Sequence, residues 1–256
     1  MTLDWYVIVA LCAVAAAAGW IDAVSGGGGL LQLPALLIAL QGQPPAVALG
    51  TNKMSSILGT SAAALSYARV ERPRLRTALP MAGVAFVGAG IGSFLALRLP
   101  GEVFRPVIIV ALIGVWVFVA LRRDFGLHSR EVSRGRHVAT ALGGGFAIGV
   151  YDGALGPGTG SFLVVLLVAA LGYTFLQASA TAKIVNVGTN LASLIVFGLG
   201  GAVLWGLGLL MGVCNVAGAL VGARMAMSRG SGFVRIVLLV VTAALIVVLA
   251  VQTLRA

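Results

Sequence analysis

A series of apolar runs, separated by short polar or glycine-containing breaks, occupies most of the chain. A helix that crosses the hydrocarbon core of a bilayer needs about 20 residues. The runs at 30–40, 138–151 and 158–171 are shorter and are flanked by glycine, which predicts half-helices or the arms of hairpins. The pattern therefore predicts an all-α polytopic membrane protein with runs at about 5–24, 30–40, 46–66, 77–99, 103–121, 138–151, 158–171, 177–199, 203–226 and 233–252.

Composition agrees with this pattern, because hydrophobic residues make up 60% of the sequence and charged residues only 9%. A soluble domain carries roughly 25% charged residues. The first run follows the acidic Asp4 and lacks a basic leader, so we expect it to belong to the mature protein and not to a signal peptide. The net charge of +10 comes mainly from arginines in short loops, which is typical of cytoplasmic loops and not of nucleic-acid binding. The expected location is the cell inner (cytoplasmic) membrane, as a multi-pass protein, with the lipid bilayer as partner and no nucleic acid.

The distribution of basic residues predicts the orientation of the spans. The loops at 69–76 and 122–137 and the turn at 224–229 are basic and are expected inside, whereas 198–202 is uncharged and is expected outside. Residues 5–40 then start and end outside, and residues 138–171 start and end inside. Each of these glycine-broken segments is therefore predicted to be a re-entrant hairpin.

The two halves of the sequence match when one is shifted by 130 residues, which aligns Asp22 with Asp152, Lys53 with Lys183 and Arg105 with Arg235. Charged residues are scarce in this chain, so such matches at one offset indicate a duplicated unit. Each repeat reads as a hairpin plus three transmembrane helices, and the odd number of crossings predicts that the second repeat is inverted. Inverted-topology repeats are the usual construction of secondary transporters. The predicted units are a first repeat at 1–121, a basic cytoplasmic linker at 122–137 and a second repeat at 138–256.

The glycine-rich breaks at 26–29 and 156–160 are the first candidate site. A new helix is predicted after each break, and its first N–H groups have no partner within the helix and carry partial positive charge. Such helix starts bind oxyanions, and glycine allows a ligand to approach the backbone. The alternative is a tight turn or a close helix crossing, which glycine also serves; the repetition favours a site. The candidate residues are Gly27, Gly28, Gly29, Gly158, Thr159, Gly160 and Ser161.

The second candidate feature is a set of charged residues at membrane depth. Lys53 and Lys183 each lie inside a span, where a charge is costly unless it faces a cavity or a partner. Either could complete an anion site, although Lys53 could instead extend to the interface. Asp22 and Asp152 could couple proton movement to transport, or could be structural carboxylates that neutralise the lysines. Further candidate contacts are Thr51, Asn52 and Asn186.

No Ser/His/Asp set, zinc-ligand spacing or phosphate-binding loop occurs in the sequence. The sequence therefore predicts no enzymatic activity, no catalytic residues, no metal site and no cofactor. His128 and His137 are expected to be solvated in the basic linker.

Four sequence elements resemble those of a known family. They are Asp-x-x-x-Gly-Gly-Gly-Gly followed by Leu-Pro-Ala-Leu at 22–36, Ala-Leu-Gly-Thr-Asn-Lys at 48–53, Asp-Gly-x-x-Gly-Pro-Gly-Thr-Gly-Ser-Phe at 152–162 and Ala-x-Ala-Lys-x-x-Asn at 180–186. Together they are similar to the sulfite exporter TauE/SafE family of membrane permeases. The resemblance implies transport, usually export, of a sulfur-containing anion such as sulfite or an organosulfonate. By motif it also implies roles for the two glycine segments, Thr51-Asn52-Lys53, Lys183 and Asn186.

The sequence thus predicts a secondary transporter that exports a small sulfur-containing anion by alternating access. The alternatives are a permease for another small anion such as a carboxylate, a permease for a cation or metal, and a membrane assembly factor that does not transport. The second half-site has Thr181-Ala182-Lys183 where the first has Thr51-Asn52-Lys53, so the half-sites are not equivalent. A small anionic substrate is the expected partner, and a homodimer is left open.

Overall fold

The computed structural model describes residues 3–71, 73–98 and 133–254, together with Ile113 and Val117. Regular structure in this part of the chain is entirely helical. The predicted span at 103–121 and most of the predicted linker lie outside the described residues. The helices are α1 (Trp5–Ser25), α2 (Gly29–Ala39), α3 (Pro45–Val70), α4 (Leu75–Ala96), α5 (Arg134–Ala139), α6 (Gly145–Ala154), α7 (Thr159–Leu171), α8 (Phe175–Leu199) and α9 (Trp205–Leu254).

Four of the described helices are long and apolar enough to cross a membrane: Trp5–Ser25, Leu75–Ala96, Phe175–Leu199 and Trp205–Val241. The prediction of an all-α chain with membrane-crossing helices is therefore confirmed for the described residues. Helix α9 contains a break at Gly230, where φ is 74° and ψ is −172°. This break separates the predicted spans at 203–226 and 233–252.

The short helices differ in part from the sequence prediction. Helices α2, with 11 residues, and α7, with 13, are too short for a full crossing, as the runs at 30–40 and 158–171 predicted. The prediction of a short arm at 138–151 was wrong, because α5, a π-helical turn at Thr140–Gly144 and α6 follow one another without a break. The helical segment therefore starts inside the predicted linker. Hydrophobicity along the sequence could not locate the first residue of this helical segment, because the first turn of α5 carries polar and basic residues.

Helix α1 packs along the first half of α9, and α6 packs along α4, through positions that are related by the same 130-residue shift. The helices touch through glycines on α4 and α9, where a Cβ would collide with a backbone carbonyl of the neighbouring helix. In both contacts the residue numbers increase together, so the paired helices run in the same direction. The matched contacts are Gly218 with Ala16 and Gly222 with Trp20, and Gly88 with Phe146 and Gly92 with Val150.

Helices α3 and α8, which occupy equivalent positions in the two halves, cross at the centre of the molecule in opposite directions. Near the start of α3, Gly50 lies against Phe197 near the end of α8. Lys183 lies in the first half of α8, where it shares the Asp22 carboxylate with Thr60 of α3. The crossing brings the polar stretches of α3 and α8 together with the two glycine breaks.

Candidate functional site

A small cavity lies where α3, α8 and the two glycine breaks meet. Five pairs of its lining residues are 130 positions apart, so both halves contribute equivalent positions. Its lining residues are Asp22, Gly26, Gly29, Asn52, Lys53, Ser56, Thr60, Asp152, Gly156, Gly158, Thr159, Gly160, Asn186 and Asn190.

Two buried ion pairs connect the halves at this cavity. Lys53 Nζ lies 2.8 Å from Asp152 Oδ1, and Lys183 Nζ lies 2.9 Å from Asp22 Oδ2. Each lysine is thus held by the carboxylate that stands before the glycine break of the other half. The lysine side chains are only 2% and 1% exposed. This arrangement corresponds to the alternative in which the carboxylates neutralise the lysines, and the four charges cancel.

The two pairs are not equivalent in their surroundings. The Asp22 side chain is 18% exposed, whereas that of Asp152 is 5% exposed. The hydroxyl of Thr60 donates to Asp22 Oδ2 at 3.2 Å, and the hydroxyl of Thr159 donates to Asp152 Oδ1 at 2.7 Å. The Asp22 carboxylate is therefore less enclosed than the Asp152 carboxylate, which also accepts the shorter hydrogen bond from a threonine.

The N-termini of both half-helices reach the cavity, through Gly29 of α2 and Thr159 of α7. The first N–H groups of a helix have no acceptor within that helix and lie at its partially positive end. One of the α7 groups is used inside the protein, because the N–H of Ser161 donates to the Gly26 carbonyl at 3.2 Å. The Ser161 hydroxyl donates to the Ser25 carbonyl at 2.8 Å. The end of α1 therefore caps part of the α7 N-terminus.

The two glycine breaks also touch each other directly. Gly26 has a φ of 81°, in the left-handed region that favours glycine, and ends α1 by donating its N–H to the Asp22 carbonyl at 2.8 Å. A Cβ on Gly26 or on Gly160 would collide with the backbone of the other break. Close backbone contact thus accounts for these two glycines, and the cavity lies beside that contact.

Several predicted site residues do not line the cavity, namely Gly27, Gly28, Thr51, Ser161 and Lys183. Thr51 Oγ1 accepts a hydrogen bond from the N–H of Leu204 at 3.1 Å, so it joins α3 to the segment before α9. Gly28 packs against the Ala18 carbonyl. Lys183 contacts the cavity indirectly, through Asp22. The other predicted residues, Gly29, Asn52, Lys53, Gly158, Thr159, Gly160, Asn186, Asp22 and Asp152, line it.

Sequence reasoning missed Ser56 and Thr60, which line the cavity with Asn52. The three residues are spaced by four along α3, and such residues share one face of a helix. Asn186 and Asn190 form the corresponding pair on α8. The four-residue spacing from Asn52 was the signal in the sequence that could have identified both residues.

His137 lies away from the glycine breaks and is not fully solvated, because its Nε2 is 2.6 Å from Thr77 Oγ1. His128 lies outside the described residues. Among the described residues, no group of three or more His, Cys, Asp or Glu side chains could hold a metal ion.

Comparisons with known proteins match nearly the whole chain. The family model described as sulfite exporter TauE/SafE matches residues 11–249. The probable membrane transporter protein ORF9 of Sinorhizobium sp is 40% identical over 246 residues, which cover 95% of this chain and 92% of that protein. A probable membrane transporter protein of Haemophilus influenzae is 35% identical over 85% of this chain and 84% of its own length. The probable membrane transporter protein YfcA of Escherichia coli K12 is 34% identical over 90% of this chain and 84% of its own length. No solved structure matches.

Proposed function

This chain belongs to the sulfite exporter TauE/SafE family and is a membrane transporter, and we propose that it exports a small sulfur-containing anion such as sulfite or an organosulfonate. The proposed location is the cytoplasmic membrane, with the basic turns on the inner side. The anion's own gradient or an ion gradient drives the movement, since the sequence contains no nucleotide-binding loop. The names of the relatives support transport in general, and the choice of a sulfur anion rests on the family description.

We further propose that the two halves are inverted-topology repeats that move against each other. Support comes from the contacts that recur at the 130-residue shift and from the opposite directions of α3 and α8. In transporters built this way, the substrate site lies between the repeats near the middle of the bilayer. The cavity lies where these two central helices cross, and alternating access would expose it first to one side and then to the other.

The observation that carries this proposal is one cavity that receives two helix N-termini, one from each half, beside a buried lysine. Two partial charges of about +0.5 favour an oxyanion over a cation. A lysine ammonium has three donors, and Lys53 uses one on Asp152. In the proposed complex the anion accepts hydrogen bonds from Lys53, from the Asn52 and Asn186 amides, and from the N–H groups of α2 and α7. Lys183 holds the first break in place through Asp22.

The test exchanges the charges of the Lys53–Asp152 pair. Removing one partner of a buried ion pair costs about 3–5 kcal/mol, so Lys53→Ala alone would confuse misfolding with loss of binding. The double variant Lys53→Asp, Asp152→Lys keeps the pair and moves the ammonium from α3 to α6. We expect sulfite flux into proteoliposomes to fall at least tenfold. The melting temperature and the size-exclusion elution volume should match those of the unmodified protein, which shows that the variant is folded.

Unchanged sulfite flux in the folded exchange variant would contradict the role of Lys53. Flux of a metal or alkali cation by the unmodified protein, with no flux of any sulfur oxyanion, sulfonate or carboxylate, would contradict anion transport altogether.

A further inference from the structure

The two hairpins that contain the glycine breaks are held together differently, although their positions are equivalent by the 130-residue shift. In the second hairpin, α6 is tied both to α7 and to the break. The Tyr151 hydroxyl donates to the Pro157 carbonyl at 2.7 Å, and the Tyr151 ring packs edge-on against Phe162 with 4.9 Å between the ring centres. The Thr159 hydroxyl donates to Asp152 Oδ1 at 2.7 Å. These contacts hold the second hairpin together as one unit.

The first hairpin lacks the side chains that make these contacts. The residues at the positions of Tyr151, Pro157, Thr159 and Phe162 are Ile21, Gly27, Gly29 and Gln32. Helix α2 also contains Pro34, which has no N–H for the carbonyl one turn earlier, whereas the equivalent residue of α7 is Val164. The end of α1 is held by Ser161 of α7, so the less constrained arm of the first hairpin is α2.

Within the described part of the chain, one hydrogen bond ties α2 to another helix. The Asn215 amide of α9 donates to Gln32 Oε1 at 2.9 Å, and these residues are 3% and 0% exposed. Asn215 fits there because Gly19 of α1 and Gly59 of α3 have no Cβ, which would collide with its backbone or side-chain oxygen. The second half has no such bond, since the residue equivalent to Asn215 is Ala85.

Gln32 connects this bond to the cavity. Its Nε2 is buried and has no partner among the described residues. Buried polar groups are nearly always paired, so an unpaired donor on a side chain that already makes one bond is expected where that side chain changes partners. Gly29, three residues earlier at the N-terminus of α2, lines the cavity. A displacement of α2 that breaks the bond to Asn215 therefore also moves one wall of the cavity.

We propose that α2 is a gate of the cavity and that the Gln32–Asn215 hydrogen bond is the latch that holds this gate closed. The second hairpin stays rigid while α2 moves away from α9 and opens the cavity toward the end of the molecule at which α2 joins α3, the predicted outer side. This inference rests on the proposed function, because it takes the cavity as the substrate site, and it adds which element opens that site.

Hydrogen exchange of the purified full-length protein in detergent tests the gate without any substrate. We expect the amides at 35–39 of α2 to exchange at least tenfold faster than the equivalent amides at 165–169 of α7. Asn215→Ala removes one neutral hydrogen bond and should speed exchange in α2 about fivefold more, with α7 as the unchanged internal control. Equal rates in the two half-helices, or exchange in α2 that Asn215→Ala leaves unchanged, would overturn the inference.

A reducible cross-link tests whether α2 must leave α9 during transport. In a background with Cys12→Ala and Cys214→Ala, the thiols of Gln32→Cys, Asn215→Cys are joined by an ethylene-bridged bis-methanethiosulfonate, and mass spectrometry verifies the cross-link. We expect sulfite flux in proteoliposomes to fall at least tenfold and to return after reduction.

The matched control applies the same reagent to Tyr151→Cys, Phe162→Cys, which joins α6 to α7 inside the rigid hairpin. Sulfite flux of this variant should change less than twofold on cross-linking. Flux that persists with α2 cross-linked to α9, or that is lost equally with either cross-link, would overturn the gate. Absence of sulfite flux in the unmodified protein would count against the proposed function, and hydrogen exchange would still decide whether α2 is latched by Asn215.

Discussion

Asp22 and Asp152 occupy equivalent sequence positions and hold equivalent lysines, but their second donors come from different places. Thr60 of α3 donates to Asp22, and Thr159 of α7 donates to Asp152. The residue equivalent to Thr60 is Asn190, and the residue equivalent to Thr159 is Gly29. Each half therefore supports its carboxylate with a different helix. The two ends of the cavity differ in their hydrogen-bond donors, as an asymmetric substrate would require.

Protonation of His137 is expected to make the stability of the protein depend on pH. Its Nε2 is 2.6 Å from Thr77 Oγ1, which is 2.8 Å from the Tyr173 hydroxyl, and the Arg74 guanidinium stacks 4.7 Å from the centre of the Tyr173 ring. Burial, and after it the charge of Arg74, lowers the pKa of His137 below 6.5. The unfolded chain then binds a proton at a higher pH than the native state does. Stability is therefore lost as the pH falls from about 6.5 toward the lower native pKa, and it is unaffected above that range.

The measurement is the melting temperature of the detergent-purified protein between pH 8 and pH 5. Part of the decrease below pH 6.5 should disappear in His137→Gln, which keeps a polar group near Thr77 and does not titrate. Identical pH profiles for the two proteins would show that protonation of His137 is not coupled to folding.

The sequence predicted which residues are equivalent, but it could not predict which residues touch. The 130-residue offset singled out Asp22, Asp152, Lys53 and Lys183 because charges are rare in an apolar chain. Equivalence, however, does not determine proximity. The pairing of each lysine with the carboxylate of the other half follows from the crossing of α3 and α8, which depends on long-range packing. The four-residue spacing from Asn52 places Ser56 on the same helix face, but Ser56 was missed because the sequence does not show that this face borders a cavity.

At the scale of the helices, glycine determines where segments stop and where they touch. The half-helices α2 and α7 could be predicted because glycine and a short apolar run occur together in the sequence. The contacts between α4 and α6 could not, since glycines that allow close packing look the same in sequence as glycines that face lipid. Gly92 and Gly90 of α4 illustrate this. A Cβ on Gly92 would collide with the Val150 carbonyl, whereas a Cβ on Gly90 would have no neighbour within 4 Å.

Alanine substitutions at these two positions should therefore have opposite effects. Gly92→Ala forces α4 away from α6 and should destabilise the protein by about 1–3 kcal/mol. Gly90→Ala adds a methyl group in open space and improves helix propensity, so it should be neutral or stabilising by up to about 1 kcal/mol. Unfolding in increasing SDS, followed by circular dichroism, measures both. Equal destabilisation by the two variants would contradict the described contact between α4 and α6.

At the scale of the whole molecule, basic residues are more numerous at one end of the described helices than at the other. His137, Thr77 and Tyr173 meet at one end, and Ser231 accepts a hydrogen bond from the Leu176 N–H at 3.2 Å near the same end. The basic segments 69–71 and 73–76, and the basic stretch 224–229 of α9, adjoin this end. At the other end, Gly200 lies against Leu97, and Arg98 follows Leu97, whereas the adjoining segments 40–44 and 199–204 carry no charge. Positive charge collects on the cytoplasmic side of membrane proteins, so the first end is predicted to be inside.

Labelling of single cysteines tests this orientation and the inverted repeats together. In a background with Cys12→Ala and Cys214→Ala, we expect a membrane-impermeant maleimide to label Gln41→Cys and Leu199→Cys in intact cells, because both positions are exposed at the end opposite the basic segments. Ser133→Cys, which is exposed at the basic end, should react only after the membrane is opened.

The same labelling tests inversion of the repeats. Gln41 follows the hairpin of the first half, and Ser133 precedes the hairpin of the second half. A re-entrant hairpin starts and ends on the same side, so if the halves had the same topology both hairpins would open to one side, and Gln41→Cys and Ser133→Cys could not be distinguished by this reagent. Labelling of the two from opposite sides therefore supports inversion, and labelling from one side would exclude it.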